Sequence, residues 1–337
     1  MGPAEALRRV AYLLEAEGAA TYKVQAFRRA AAAAEQAGPS ELARLDQEHR
    51  LETLPGVGPS TASVISSALA GEEPPYLRDL EARAPQLPPG PVRDLRRALK
   101  GDCHSHSNWS DGGSPIDEMA AAAAGMGHEY LVLTDHSPRL TVAHGLSADD
   151  LRRQLDVVAA LNEKMAPFRL LTGIEVDILE DGRLDQEEDL LRRLDVVVAS
   201  VHSALRMDEE PMTRRMVFAV SNPNVDVLGH CTGRRVLGRG RPQSSFDAEA
   251  VFGACAVNGT AVEINSRPDR QDPPEDLLRL AVSAGCRTAI DSDAHAPGQL
   301  SWLRFGCAQA VEADVPSSSV VNTLPLGQLL AWAGRHD

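Results

Sequence analysis

The chain has 337 residues, 43% of them hydrophobic and 24% charged, with a formal net charge of -14. That is enough for one large domain with a smaller attachment, and the acidity gives no support to nucleic-acid binding through bulk charge. No apolar run approaches the ~18–20 residues a bilayer span needs. The opening MGPAEALRRV reads as amphipathic helix rather than a signal core, and five cysteines without a CxxC pair fit a reducing compartment. A cytoplasmic protein without membrane contact is expected.

The charge divides unevenly. Residues 1–100 carry 13 Lys/Arg against 13 Asp/Glu, and the remainder 21 against 35. The neutral part begins with Ala-rich, Leu-spaced segments that predict helices over 4–17, 22–37 and 59–70, with Gly38-Pro39 as a stop. Short helices are expected at 76–83 and 92–99. The run from Pro85 to Pro91 has four prolines in seven residues and reads as a linker. The expected organisation is therefore an all-helical domain over 1–84, a linker with a short helix over 85–100, and a second domain over 101–337.

From Gly101 the pattern alternates strand and helix. Strands are predicted at 102–106, 130–135, 170–178, 195–202, 225–230, 261–265 and 288–291. Helix starts are marked by Ser114-Pro115 with Asp117-Glu118, by Ser147 with Asp149-Asp150, and by Asp272-Pro273-Pro274. Seven such units argue for parallel strands joined by helical crossovers, in an open sheet or a closed barrel. Nine residues able to bind metal decide for the barrel. His104, His106, Asp111, His136, Glu175, His202, His230, Asp293 and His295 each sit at or just past a strand end, and six of the 10 histidines are among them. A barrel gathers residues from every strand end onto one face.

Nine ligands exceed the three or four that one zinc ion takes, so two or three divalent ions are implied, with Glu175 or an aspartate as a bridge. Mixed His/carboxylate ligation suits Mn or Zn, and also Fe. Such a site most often hydrolyses phosphate esters. Asp135 and Arg234 are the candidate catalytic residues. Asp135 can act as a ligand, a proton acceptor or, the favoured role, an orienter of its neighbours. Arg234 is the candidate phosphate clamp, and Arg239 and Arg241 extend a basic patch for a polyanion. Cys103 and Cys231 are expected to pack rather than ligate. Trp109 is expected to wall the pocket and His144 to approach substrate. His49, His128 and His336 are expected at the surface.

These residues resemble a known family. His104-Ser105-His106 with Ser110-Asp111-Gly112, Thr134-Asp135-His136-Ser137, Gly173-Ile174-Glu175, His202, Gly229-His230 and Ser292-Asp293-Ala294-His295 are similar to the PHP (polymerase and histidinol phosphatase) superfamily over about residues 101–300. The resemblance implies a distorted seven-stranded β/α barrel, an α/β fold, with a trinuclear metal site. Asp111 and residues 142–146 look like the branch attached to bacterial family X DNA polymerases, whose members are usually manganese-dependent 3′–5′ exonucleases. Leu54-Pro55-Gly56-Val57-Gly58 resembles a helix-hairpin-helix turn, and Tyr22-Lys23 through Ala30 the small lyase-type domain of those polymerases. Lys23, Gly56 and Gly58 are the implied DNA-phosphate contacts. Where that family's Schiff-base lysine stands this chain has Val64, and a nearby phosphate-binding lysine falls on Ser60, so lyase chemistry is not expected. No polymerase domain intervenes before the barrel, and nucleotide polymerisation is not expected.

Three functions compete. The first is hydrolysis at DNA 3′ ends, with weak, backbone-directed DNA binding through the N-terminal domain. The second is removal of phosphate from a small phosphomonoester of the histidinol phosphate type. The third is a non-catalytic DNA-binding scaffold with a structural metal site.

Overall fold

The computed structural model describes residues 1–334, so His336 lies outside the described residues. The chain forms two compact units, Met1–Gln86 and Leu87–Asp337. Among the described residues no helix is long and apolar enough to cross a membrane.

The first unit is all-helical. Helix α1 (Pro3–Ala16) starts with proline in its first turn and buries Leu7, Val10 and Leu14 on one face. Helix α2 (Thr21–Gln47) runs through Gly38-Pro39, where a stop was expected. Gly38 takes a left-handed φ of 76° and Pro39 restarts the helix, because Leu42 and Leu45 still bury against the same core. The pair is thus a kink. Helix α3 (Pro59–Leu69) follows the glycine turn, and α4 (Pro75–Arg83) closes the unit. Gly56, at φ 85°, approaches Arg29 so closely that an added Cβ would lie 3.2 Å from the Arg29 Cβ.

The second unit is a single sheet of seven parallel strands in sequence order: β1 (Gly101–Asp102), β2 (Tyr130–Leu133), β3 (Arg169–Asp177), β4 (Val196–Ser200), β5 (Val227–Leu228), β6 (Ala261–Asn265) and β7 (Thr288–Asp291). Side chains alternate across each strand. Ile174, Val176, Val197, Ala199 and Val262 face outward into the helix-covered core. Leu171, Val196, Val198, Ala261 and Ala289 fill the interior, where Val321, Leu329 and Trp332 join them. The sheet is a nearly closed barrel. At the seam between β1 and β7, side chains supply the pairing: Cys103 N donates to Asp291 Oδ1 at 2.8 Å and Ser292 Oγ to Asp102 Oδ2 at 2.5 Å. Past the strand ends, His106 N reaches the Ala294 carbonyl at 2.8 Å.

The helix Pro91–Ala98, expected within a linker, is built into this unit. Leu95 and Leu99 bury in the cluster that holds Leu303 and Cys307. His128 is also not at the surface. It is 6% exposed, and Arg96 Nη2 approaches its Nε2 at 3.1 Å. His49 is exposed, as expected.

Candidate metal centre

All nine residues of the series converge past the C-terminal ends of the strands. Glu175, 1% exposed on β3, stands at the middle. Its Oε2 lies 2.9 Å from His136 Nδ1, 3.3 Å from His104 Nε2 and 3.6 Å from His106 Nε2. Its Oε1 lies 2.9 Å from His230 Nε2 and 3.2 Å from His202 Nε2. Asp111 Oδ1 sits between His295 Nε2 at 3.3 Å and His136 Nε2 at 3.5 Å. Asp293 Oδ1 is 3.4 Å from His106 Nε2.

The ligand atoms of His106, Asp111, His136 and His295 lie within 4.8 Å of one another, as do those of His104, His106 and Glu175, and those of His136, Glu175 and His202. Five imidazoles around one carboxylate cannot all be satisfied by it. The Nε2 atoms of His104, His106 and His202 and Oε1 of Glu175 are buried without a hydrogen bond among the described residues. Orphaned polar atoms of this kind are costly unless cations take their place. The donor set, imidazole nitrogen with carboxylate oxygen, fits Zn, Mn or Fe.

Local electrostatics favour the ligating form for Glu175 and His106, whereas the carboxylates draw His136, His104 and His202 toward the imidazolium, whose proton a bound cation would replace. Burial pushes the Glu175 carboxyl up, but His202, His104 and His136 around it hold it well below the usual carboxylate range. Burial, with His295 and His136 beside it, pushes His106 down to about 3. Burial opposes charge on His136 too, yet Glu175 and Asp111 raise it to about 10. Two of the series also sit in left-handed backbone, Asp293 at φ 50° and His230 at φ 21°. Such conformations cost roughly 1–3 kcal/mol each and cluster where function demands an orientation.

A supporting shell holds the ligands. Glu263, fully buried on β6, accepts from His104 Nδ1 at 2.6 Å, from His230 N at 2.5 Å and from Asn265 Nδ2 at 3.1 Å. A carboxylate only accepts, so Nδ1 of His104 carries a proton and Nε2 is the nitrogen left to meet a cation. The sequence reading missed Glu263. Its one signal was an acid at an interior position of an apolar strand. Asp177, also missed, accepts from His202 N at 3.1 Å.

Asp135 does not face the centre. Its carboxylate accepts from Ser107 N and Oγ at 2.8 and 2.6 Å, from Ser110 Oγ at 2.5 Å and from Gln154 Nε2 at 2.7 Å. These bonds tie down the loop that carries Asp111 and engage the carboxylate with protein donors, an arrangement that suits the orienting role. Arg234 is likewise displaced as a clamp. Its Nε donates to the Arg270 carbonyl at 3.2 Å and its Nη2 to that of Gln271. Arg235, Arg241, Arg267 and Arg270 instead line a cavity of about 430 Å³ together with Asp111, His136, Glu175 and His295. Arg239 is exposed in the adjoining turn and does not line it. His144 also lies outside that lining, while its neighbours Leu140, Val142 and Ala143 belong to it. Trp109 packs between two core clusters rather than walling the cavity. Cys103 and Cys231 are buried in apolar clusters, away from the ligand groupings.

In the first unit, Lys23, Gly56 and Gly58 do come together. They line a cavity of about 820 Å³ with Tyr22, Ser60, Val64 and Tyr76.

The PHP domain matches residues 102–267, and a helix-hairpin-helix domain matches residues 2–73. A "probable phosphatase" of Thermoanaerobacter sp. (strain X514) is 30% identical over 234 residues, 66% of this chain and 89% of that protein. The chain belongs to the PHP-domain family. The "DNA polymerase/3'-5' exonuclease PolX" of Bacillus subtilis (strain 168) is 37% identical over 239 residues, which cover 71% of this PHP-domain chain but only 42% of the polymerase. The solved histidinol phosphate phosphatase of Lactococcus lactis overlays with a TM-score of 0.46 at 18% identity, over 64% of this chain and 94% of its own. As a PHP-domain protein with this side-chain set, the chain is a metal-dependent phosphoester hydrolase.

Proposed function

We propose that this chain hydrolyses phosphate esters at the 3′ ends of DNA, by 3′–5′ exonuclease or 3′-end processing activity, with two or three divalent ions held by the nine-residue series. The observation that carries the reading is one cavity lined both by the metal-ligating groups and by four arginines. Each pair of the three ligand groupings has one residue in common, His106, His136 or Glu175, so ions held there would be close enough for Glu175 to bridge. Bound ions lower the pKa of water to near ~7 and take up charge on the phosphate oxygens. The chain's own residues do the rest. Glu263 fixes the His104 tautomer, and Asp135 holds the Asp111 loop. Arg267 and Arg270 pair with Asp293, Arg270 Nε at 3.2 Å, and offer guanidinium N–H groups to nonbridging oxygens. In the first unit, Lys23 and the α3 N-terminus after Gly58 are the DNA-backbone contacts, without lyase chemistry because Val64 supplies no amine.

Cleavage of a small phosphomonoester is the second reading, favoured by the probable phosphatase that aligns over 89% of its length. The test presents the full chain, in Mn²⁺ and separately in Zn²⁺, with 5′-labelled DNA bearing recessed 3′ ends or 3′ phosphates, and with histidinol phosphate in parallel. Stepwise shortening or 3′-phosphate loss that vanishes in His104→Ala supports the DNA reading. Inert DNA with phosphate released from the small ester replaces it with the second. Activity on none of them, with ions bound, returns the scaffold reading.

A further inference from the structure

The arginine wall holds more cationic groups than one phosphoryl group can use, and its members are built in two ways. Arg267 and Arg270 stand beside the ligands. Arg267 Nη1 lies 3.1 Å from His295 Nδ1, and Arg270, only 7% exposed, leaves Nη1 buried with no hydrogen-bond partner among the described residues. Arg235 and Arg241 belong to a separate hairpin. They face each other in an antiparallel bridge, Arg235 N donating to the Arg241 carbonyl at 2.9 Å and Arg241 N to that of Arg235 at 2.8 Å.

Directly opposed residues of an antiparallel pair project to the same face, and like charges in that position destabilise the pair. The turn is made for close return, with Gly238 and Gly240 at φ 70° and 62°. Arg235 Nη1 has Asp269 Oδ2 at 2.9 Å, whereas Arg241 donates its Nε to the Gly233 carbonyl at 2.6 Å and pairs with no carboxylate among the described residues. Two arginines on one face of a hairpin, with Asp269 as their one close acid and that acid divided between Arg235 and Arg267, make a seat for an anion. The same cavity is also lined by apolar residues, Leu140, Ala143 and Val142, the last 88% exposed. A bare polyphosphate has no use for that surface. A nucleoside does.

We propose that Arg235 and Arg241 form a second phosphate subsite that receives the phosphodiester one nucleotide in from the scissile one, with Val142 and Leu140 against the sugar or base, so that the substrate is a strand end rather than a lone phosphomonoester. The inference rests on the phosphoester-hydrolase reading above and narrows its substrate. In the step itself a water oxygen bonds to phosphorus, the P–O3′ bond breaks, and the released O3′ takes a proton. The second phosphate is bound and not changed.

The dinucleotides TpT and pTpT isolate the subsite, since they share the scissile bond and differ only by the 5′ phosphate. The full chain in Mn²⁺ is expected to cleave pTpT with a kcat/KM at least about tenfold above that for TpT. In Arg235→Gln/Arg241→Gln this ratio falls toward one. In Arg270→Gln both rates fall and the ratio persists. The single Arg241→Gln, which keeps the Arg235–Asp269 pair, gives the same answer should the double variant fail to fold. A wild-type ratio near one, or a ratio insensitive to the hairpin arginines, overturns the second subsite. Hydrolysis of bis(p-nitrophenyl) phosphate in that case leaves the hydrolase reading standing, and no hydrolysis of any of the three removes both.

Discussion

Replacing Glu263 by glutamine probes the centre without touching a ligand. Glu263 is fully buried and accepts three hydrogen bonds, at 2.6 Å from His104 Nδ1, 2.5 Å from His230 N and 3.1 Å from Asn265 Nδ2. A glutamine keeps one acceptor oxygen and replaces the other with an NH₂ donor. If the oxygen faces His104, the amide nitrogen opposes the His230 N–H and the Asn265 amide, leaving buried donors unpaired at about 1–3 kcal/mol. If the amide turns the other way, His104 Nδ1 must accept, the proton moves to Nε2, and the lone pair that points at Glu175 is lost. Either way the loss falls on ion binding. Changes of this kind typically weaken metal affinity 10–100-fold, or roughly 1.4–2.7 kcal/mol. The assay is a competition titration against a chelator for Mn²⁺ and Zn²⁺, with thermal melting of the metal-free chain as a fold control. Unchanged affinity in a folded Glu263→Gln protein would refute the assigned tautomer and the positioning role.

Three further outcomes are expected. Because buried histidine Nε2 atoms and Glu175 Oε1 lack hydrogen bonds among the described residues, added Mn²⁺ or Zn²⁺ is expected to raise the melting temperature and a chelator to lower it. About 2.7 kcal/mol is gained at a hundredfold excess over Kd, and equal melting curves would count against a metal centre. Burial, with Arg96 beside it, pushes His128 down to about 3 from 6.5. The folded state therefore takes up fewer protons than the unfolded one between these values, so the contribution is whole above about pH 6.5 and shrinks as pH falls toward 3. Between pH 8 and pH 5 the wild type should lose about 2 kcal/mol more than His128→Gln in urea unfolding, and parallel losses would refute the assignment. In Gly145→Ala the new Cβ would lie 1.8 Å from the Ser137 carbonyl oxygen, in the loop that returns Leu146 N to the His136 carbonyl. That variant should melt lower by more than about 2 kcal/mol and bind ions more weakly, and a wild-type melt would show that the loop yields at no cost.

The metal series was legible in the sequence because strand ends of a parallel barrel share one face. Chemically distinctive residues spaced one strand apart therefore announce their meeting before any contact is known. The short apolar runs that alternate with helical spacing from Gly101 onward implied the seven strands, since parallel strands are buried on both faces, and all seven occur in the predicted order. Contacts across the barrel were not legible. Glu263 on β6 serves His104, which follows β1, and only closure of the sheet brings them to 2.6 Å. Asp135 stands next to a ligand yet turns to Ser107, Ser110 and Gln154, because neighbours on an extended chain point to opposite sides. The arginines show the limit most directly. Arg234 and Arg235 are adjacent, but the pairing of Arg235 with Arg241 in a tight hairpin sends one guanidinium to backbone carbonyls and the other into the cavity. Residue type and strand period determine which groups this chain can bring to its site, whereas register and barrel closure decide which of them face it, because those depend on partners far apart in sequence.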